Sequence, residues 1–417
     1  MSDRGAPGWA RFLPGLHTLV RYDRAWLRGD VIAGLTVAAY LIPQVMAYAE
    51  VAGLPAIVGL WGILVPLAVY AVLGSSRQLS VGPESTSALM TAVGVSALVG
   101  AAGGERYADV AALLAVAVGL ICVLGWVFRL GFLANLLSRP LLIGYLAGIS
   151  VLMITSQLGK MTGLRVSGDG PVAQVGSLVA QLPAVHTPTA VLAGAVLVAL
   201  FAIARWAPTV PGPLVVGVAA AAVVAALGLG RDGIATIGPV PQGLPSFRVP
   251  DPTSVDAVSL LPYAFGIALV GYSENVLTAR AFAANRREKV DGGQELLAMG
   301  AINLGAALFQ GFPVSSSSSR TVLGNAMGSR TQLHSLVAMA LVLATLLFLG
   351  PLLSTFPTAA LGAVVVYAAV RLIDVPEWRR IARFRRSELV LALGTATAVV
   401  VFGVLNALVR PFLKLVS

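Results

Sequence analysis

Charge is what this sequence most lacks. Only 11% of its 417 residues are charged, against roughly 25% in a water-soluble domain. Hydrophobic residues make up 57% and the mean hydropathy is +0.87. The two or three soluble domains that the length alone would permit are therefore excluded, because their surfaces could not be covered. Cysteine occurs once, as Cys122 inside an apolar run, which removes disulfide frameworks and thiolate metal sites. The three histidines, His17, His186 and His334, stand far apart, so no metal centre and no cofactor are expected. There is no Gly-x-Ser-x-Gly or His-Glu-x-x-His stretch, and no histidine neighbours the serine-rich segment 315–319. A membrane-embedded enzyme would thus lack both base and metal, and none is expected. The first 30 residues contain no short apolar run ending in small residues, so they do not read as a cleavable leader.

Long apolar runs are abundant. They extend over about 18 to 22 residues, the length of a helix crossing a hydrocarbon core of roughly 30 Å. Thirteen can be assigned, at 31–49, 54–73, 80–101, 107–128, 139–158, 189–205, 211–229, 258–284, 294–311, 314–334, 336–354, 357–373 and 387–405. This is an all-α polytopic membrane protein. Its net charge of +10 would suggest nucleic acid in a soluble protein, but here the placement of charge decides. With the N-terminus cytoplasmic, about 19 of the 28 Lys and Arg fall in loops on that side and about five opposite. The positive-inside rule then orients the chain in a plasma (inner) membrane, and no nucleic-acid partner is expected. Trp9, Phe12, Leu13, Leu16 and Val20, interleaved with arginines, read as a helix lying in the cytoplasmic interface among lipid headgroups. The basic loop 371–388 reads as a topology anchor, and loops 159–188 and 229–257 as irregular outer loops.

Two runs are poor spans. The run at 80 opens Ser-Val-Gly-Pro-Glu-Ser-Thr-Ser, and the run at 314 follows Gly311-Phe-Pro313 with Val-Ser-Ser-Ser-Ser-Ser-Arg-Thr. Each reads as an extended segment that becomes helical partway through the bilayer, where broken backbone must line a cavity. Gln44 precedes Pro83 by 39 positions and Glu274 precedes Pro313 by 39, which suggests homologous halves. Seven spans per half would invert the second half, so the broken helices would point their N-termini at each other. Helix N-termini carry unpaired N–H groups and about half a positive charge, an arrangement suited to a small anion. Ser85, Thr86, Ser87 and Ser315 to Ser319 add hydroxyl donors, and Arg320 adds a full charge, for which Glu274 is the natural partner.

These residues resemble a known family. Asp30-Val-Ile-Ala-Gly-Leu-Thr-Val, Leu41-Ile-Pro-Gln-Val-Met-Ala-Tyr-Ala, Ala52-Gly-Leu-Pro, Leu73-Gly-Ser-Ser-Arg-Gln-Leu-Ser-Val-Gly-Pro83, Leu277-Thr-Ala-Arg-Ala-Phe-Ala, Gln294-Glu-Leu, Gly311-Phe-Pro-Val and Ser319-Arg-Thr follow in order. Over nearly its whole length the chain resembles the SulP sulfate-permease family, and most closely its actinobacterial sulfate transporters. The resemblance implies a seven-plus-seven inverted repeat, with half-helices 3 and 10 facing at the midplane. An interfacial segment 1–30 would precede core segments 31–130 and 258–355 and gate segments 131–257 and 356–417, the last span being partial. It implies an anion between the starts of spans 3 and 10, in contact with Gln44 and Tyr48 of span 1 and with Ser318, Ser319 and Arg320 at the start of span 10. The acidic residue of span 8, here Glu274, with Thr278 one turn on, would couple a proton or a sodium ion. A sodium ion near Glu274 is the only metal foreseen. A homodimer in lipid is also implied.

The pattern departs from the family in two places. No STAS domain is expected after the last apolar run, and Glu84, followed by Ser85, stands directly after the Gly-Pro of span 3, where many members carry a small or apolar side chain. Glu84 is expected either to cap the helix or to titrate with the anion. The expected function is secondary active transport of small oxyanions, sulfate before bicarbonate or dicarboxylates, by an elevator-type movement. An anion channel and a nucleobase permease of the same fold are the alternatives, the second disfavoured by Arg320.

Overall fold

The computed structural model describes residues 12–100, 105–131, 139–166, 171–207, 210–231, 233–238, 243–286, 288, 290–384 and 386–416. Its first half contains α1 (Pro14–Val20), α2 (Leu27–Val51), α3 (Ala56–Leu73), strand β1 (Val81–Gly82), α4 (Ser85–Val99), α5 (Glu105–Val127), α6 (Arg139–Thr162), α7 (Pro171–Ala180), α8 (Thr187–Trp206) and α9 (Gly212–Ala226). The second half contains α10 (Ala257–Arg286), α11 (Gly292–Leu308), strand β2 (Ser315–Ser316), α12 (Ser318–Ala326), α13 (Leu333–Phe348), α14 (Gly350–Ser354), α15 (Thr358–Leu372), α16 (Val375–Phe384) and α17 (Arg386–Val416). Among the described residues, six helical stretches are long and apolar enough to cross a membrane unaided.

The two runs expected to break do so. α4 has 15 residues and α12 has 9, which at 1.5 Å per residue gives about 22 and 14 Å, short of a hydrocarbon core. Each follows extended backbone, and the two lead-ins meet: β1 and β2 pair antiparallel, with Val81 opposite Ser316 and Gly82 opposite Ser315. Gly82 has φ +139°, a conformation closed to most side chains, and a Cβ there would strike Ile63. Gly271 of α10 lets β2 approach, since a Cβ at that position would lie 3.3 Å from that of Ser315.

Buried amides satisfy the backbone that the breaks expose. Asn303 of α11 accepts from Val314 N (2.9 Å) and donates to the Val314 carbonyl (3.0 Å). Gln332 donates to the carbonyls of Ser76 and Leu79, both at 2.9 Å. The equal spacing of 39 does not mark equivalent positions. The N-caps of α4 and α12 are Glu84 and Ser317, separated by 317 − 84 = 233, whereas Pro313 and Pro83 are 230 apart. Pro83 abuts its helix, while Pro313 stands before β2.

Two packing groups result. α2 to α5 pack with α10 to α13, while α6, α8, α9, α15 and α17 pack among themselves, touching the first group chiefly through α2. Two motif carboxylates knit the first group at the face where the N-terminal segment lies. Buried Asp30 accepts from Arg330 N (2.6 Å), Thr331 N (3.1 Å), Thr331 Oγ1 (2.7 Å) and Tyr22 Oη (3.0 Å), tying the start of α2 to the turn after α12. Buried Glu295 accepts from Tyr70 Oη, from Ser75 N and Oγ, and from Asn275 Nδ2. At the opposite face Lys160 of α6 meets Glu50 of α2 at 2.7 Å, and Arg248 meets Asp109 at 3.1 Å.

Three expectations are adjusted. The loop 159–188 contains the mostly exposed helix α7. The residues foreseen as a partial fourteenth span continue α17 without a break. The interfacial N-terminal helix is described only from Pro14, because Trp9 lies outside the described residues.

Candidate functional site

A cavity of about 340 Å³ lies against the ribbon. Tyr40 and Tyr48 of α2, Glu84 and Ser85 at the start of α4, Glu274, Leu277 and Thr278 of α10, and Ser316 to Ser319 with Val322 of α12 form one wall. Leu146 of α6 and Ala368 and Arg371 of α15 form the other. The cavity therefore lies between the two packing groups. It extends toward the N-terminal face: Tyr40 precedes Tyr48 on a helix starting there, and Arg371 is in the last turn of a helix ending there.

The two helix ends differ. Glu84 caps α4 with its own carboxylate, accepting from Ser87 N (2.8 Å) and Ser85 Oγ (3.0 Å). α12 is capped by a neutral hydroxyl, Ser317 Oγ, which accepts from Arg320 N at 3.5 Å. The ends are cross-linked: Ser87 Oγ donates to Ser315 Oγ (3.0 Å), and Ser317 N donates to the Ser80 carbonyl (2.8 Å). Thr86 Oγ1 of α4 donates to Glu274 Oε1 at 3.4 Å, and Thr278 Oγ1 is 2.9 Å from Ser318 Oγ. Two carboxylates and a row of hydroxyls thus share one cavity wall.

Of the nine residues expected at the site, Tyr48, Glu84, Ser85, Glu274, Thr278, Ser318 and Ser319 line the cavity. Gln44 and Arg320 stand behind it. Arg320 is fully buried; its Nη1 donates to the Pro83 carbonyl (2.9 Å) and Gln44 Oε1 (3.3 Å), and its Nε to Ser80 Oγ (3.3 Å). Gln44 Nε2 in turn donates to Tyr48 Oη at 3.0 Å. The expected Arg320–Glu274 ion pair does not form, because neutral acceptors on the α4 lead-in take the guanidinium. Arg320 Nη2 is buried and has no hydrogen-bond partner. Among the described residues no group of His, Cys, Asp and Glu could hold a metal ion.

Sequence reasoning missed Tyr40 and Arg371. Tyr40, Gln44 and Tyr48 are spaced by four, so Tyr40 was legible as part of their helical face. Nothing in the sequence says that α15 packs opposite that face.

A multi-pass helical repeat interrupted at two facing half-helices defines a membrane transport protein, not an enzyme. The family model described as the Sulfate permease family matches residues 27–395, and the chain belongs to that family. A relative named as a probable sulfate transporter of Mycobacterium tuberculosis is 55% identical over 412 residues, covering 98% of this chain and 73% of that protein. The fold is that of murine Solute Carrier 26 family member A9, an anion transporter in the inward-facing state (TM-score 0.87, 22% identity, 100% of this chain and 73% of that one). It is also that of the transmembrane domain of the cyanobacterial bicarbonate transporter BicA (TM-score 0.83, 20% identity, 93% and 98%). The architecture is accordingly the inverted repeat of a core and a gate.

Proposed function

We propose that the protein is a secondary active transporter of small oxyanions, with sulfate the foremost substrate, driven by a proton or a sodium ion. The observation that carries this reading is the cavity itself, where the hydroxyl-lined end of α12 and two carboxylates meet between two helix groups. The sulfate-transporter name of the 55% identical relative favours sulfate over bicarbonate and dicarboxylates.

The anion is held at the α12 end, by Ser318 and Ser319 hydroxyls and free N–H groups, with Tyr48 on the same cavity wall. Arg320 acts from behind: its charge favours an anion, and through Gln44 it orients Tyr48. Glu84 and Glu274 oppose a second negative charge in the same cavity. Neutralising one of them, Glu274 foremost, with a proton or a sodium ion relieves that repulsion. Anion and cation then promote each other's binding by reciprocity, which is symport.

Core segments 31–130 and 258–355 carry the site past gate segments 131–257 and 356–417 in an elevator-type movement, within a homodimer in the plasma membrane. The N-terminal face is cytoplasmic. Single-cysteine labelling in a Cys122→Ser background checks this: position 165 is expected to react from outside and position 330 from inside, and the reverse pattern overturns the orientation. The function is tested by uptake of labelled sulfate, bicarbonate and fumarate into proteoliposomes under imposed proton or sodium gradients. Concentrative sulfate uptake under one gradient is expected; gradient-independent flux at channel rates would contradict it.

A further inference from the structure

Arg371 was read from sequence as one charge of a cytoplasmic topology anchor. In the fold it is set apart from the others. Arg379, Arg380 and Arg383 belong to the amphipathic surface helix α16, whereas Arg371 ends the transmembrane helix α15 and lines the cavity. Its position is fixed by Tyr367 one turn earlier. Arg371 Nη1 donates to Tyr367 Oη at 3.0 Å, and the guanidinium carbon lies 5.7 Å from the ring centroid, a cation–π distance. Tyr367 is itself buried, packed edge-on against Phe201 of α8 with ring centroids 5.1 Å apart. Among the described residues no carboxylate pairs with Arg371: Asp374, three positions on, instead accepts from Glu377 N. A full positive charge with open donors is thus held at the cavity on a rigid aromatic mount.

Its location on the gate side matters most. Every other charged lining group, Glu84 and Glu274, belongs to the core-side helices α4 and α10, and both are acidic. We propose that Arg371 is an anion-capture residue: it draws the oxyanion into the cavity from the N-terminal face, and it does so only while the cavity faces that side. The inference rests on the transport reading above. When the core moves against the gate, the α12 end travels with the anion and Arg371 stays with α15. A contact made in one state alone adds affinity in that state alone. Arg371 therefore sets the affinity on one face of the membrane and leaves the other face untouched. A guanidinium suits this task because its planar fork offers paired donors to an oxyanion.

A basic residue in the last turn of a helix also stabilises the helix end, so the test needs a readout that such a role would leave alone. The full chain is reconstituted in liposomes, and the half-saturating sulfate concentration is measured separately from the cytoplasmic and outer faces. Arg371→Gln is expected to raise the cytoplasmic-face value about tenfold, the equivalent of one charge-assisted contact, and to leave the outer-face value unchanged within about twofold. Its cytoplasmic-face value should also depend less on ionic strength than that of the wild type. Arg371→Lys keeps the charge and is expected to recover part of the loss. Tyr367→Phe removes the hydroxyl mount and is expected to give a smaller shift on the same face. Equal shifts on both faces, or no shift on either, would overturn the proposal. If Arg371→Gln does not fold, Arg371→Lys and Tyr367→Phe carry the same one-sided expectation. Failure of the wild type to take up any of sulfate, bicarbonate or fumarate overturns the transport reading itself and the inference with it; wild-type uptake with an indifferent Arg371→Gln overturns the inference alone.

Discussion

The ends of α4 and α12 are built to one plan and finished differently. Both follow extended segments clamped by a buried amide, Gln332 for the first and Asn303 for the second, and the segments pair as a two-stranded ribbon. At α4, the chain's own carboxylate, Glu84, already occupies the anion position, accepting from Ser87 N. At α12 the cap is a neutral serine and a buried arginine stands behind it. Two equivalent ends would compete for one anion. Under the proposed function, filling one with a carboxylate leaves the other for the substrate and puts a titratable group beside it.

The comparison breaks most severely at Arg320. Arg320→Ala removes the positive charge behind the α12 end and leaves the Pro83 carbonyl and Ser80 hydroxyl without their donor. Sulfate transport is expected to fall by more than about a hundredfold. Thermal stability should drop too, by about 1 to 3 kcal/mol for buried groups left unpaired; uptake assays and thermal unfolding of the purified variant measure both. Arg320→Lys should recover little, because a lysine cannot reach Ser80, Pro83 and Gln44 together from one planar group. Transport at wild-type rates by Arg320→Ala would refute the assignment of the α12 end.

Glu274→Gln is expected to separate coupling from binding. Because Glu274 bonds Thr86 and not Arg320, its neutral replacement should leave the anion site standing. Accumulation of sulfate under a proton or sodium gradient is expected to be lost while sulfate exchange at equilibrium persists. Concentrative uptake by this variant under the same gradient would move the coupling role to Glu84. A smaller effect of opposite sign is expected at Glu84. Glu84→Gln keeps a side-chain acceptor for Ser87 N but removes a negative charge from the cavity. Sulfate should then bind about threefold to tenfold more tightly at neutral pH, the range of a charge at a helix end, as titration of the purified protein would measure. Weaker binding would show that the two ends are not the complementary pair described here.

Much of this was legible in the sequence because membrane spans are defined by length and polarity, which a sequence displays directly. The broken helices were legible for a related reason: Gly82-Pro83 and Gly311-Phe-Pro313 followed by hydroxyl residues cannot continue a lipid-facing helix. Seven of the nine residues expected at the site line the cavity, since they cluster at those breaks or one turn away on a helical face. What failed was partner choice. Charge counting matched Arg320 with Glu274, but a guanidinium in a buried site takes the acceptors nearest its fork, here a backbone carbonyl, a serine and an amide. Asp30 and Glu295 stood in recognised motifs without a role; only the fold brings Thr331 to one, and Tyr70 and Ser75 to the other. Arg371 was hidden for the same reason, because which helix faces the cavity from the gate side is a tertiary fact.

Anion and cation binding to one cavity are proposed as linked events, and proton uptake reports that link directly. Sulfate is added to the purified protein in sodium-free, weakly buffered solution, and the pH change is followed. The wild type is expected to take up protons as sulfate binds, and Glu274→Gln, binding sulfate, to take up far fewer. Sulfate binding by the wild type with no proton uptake, and with an affinity indifferent to added sodium, would contradict the account.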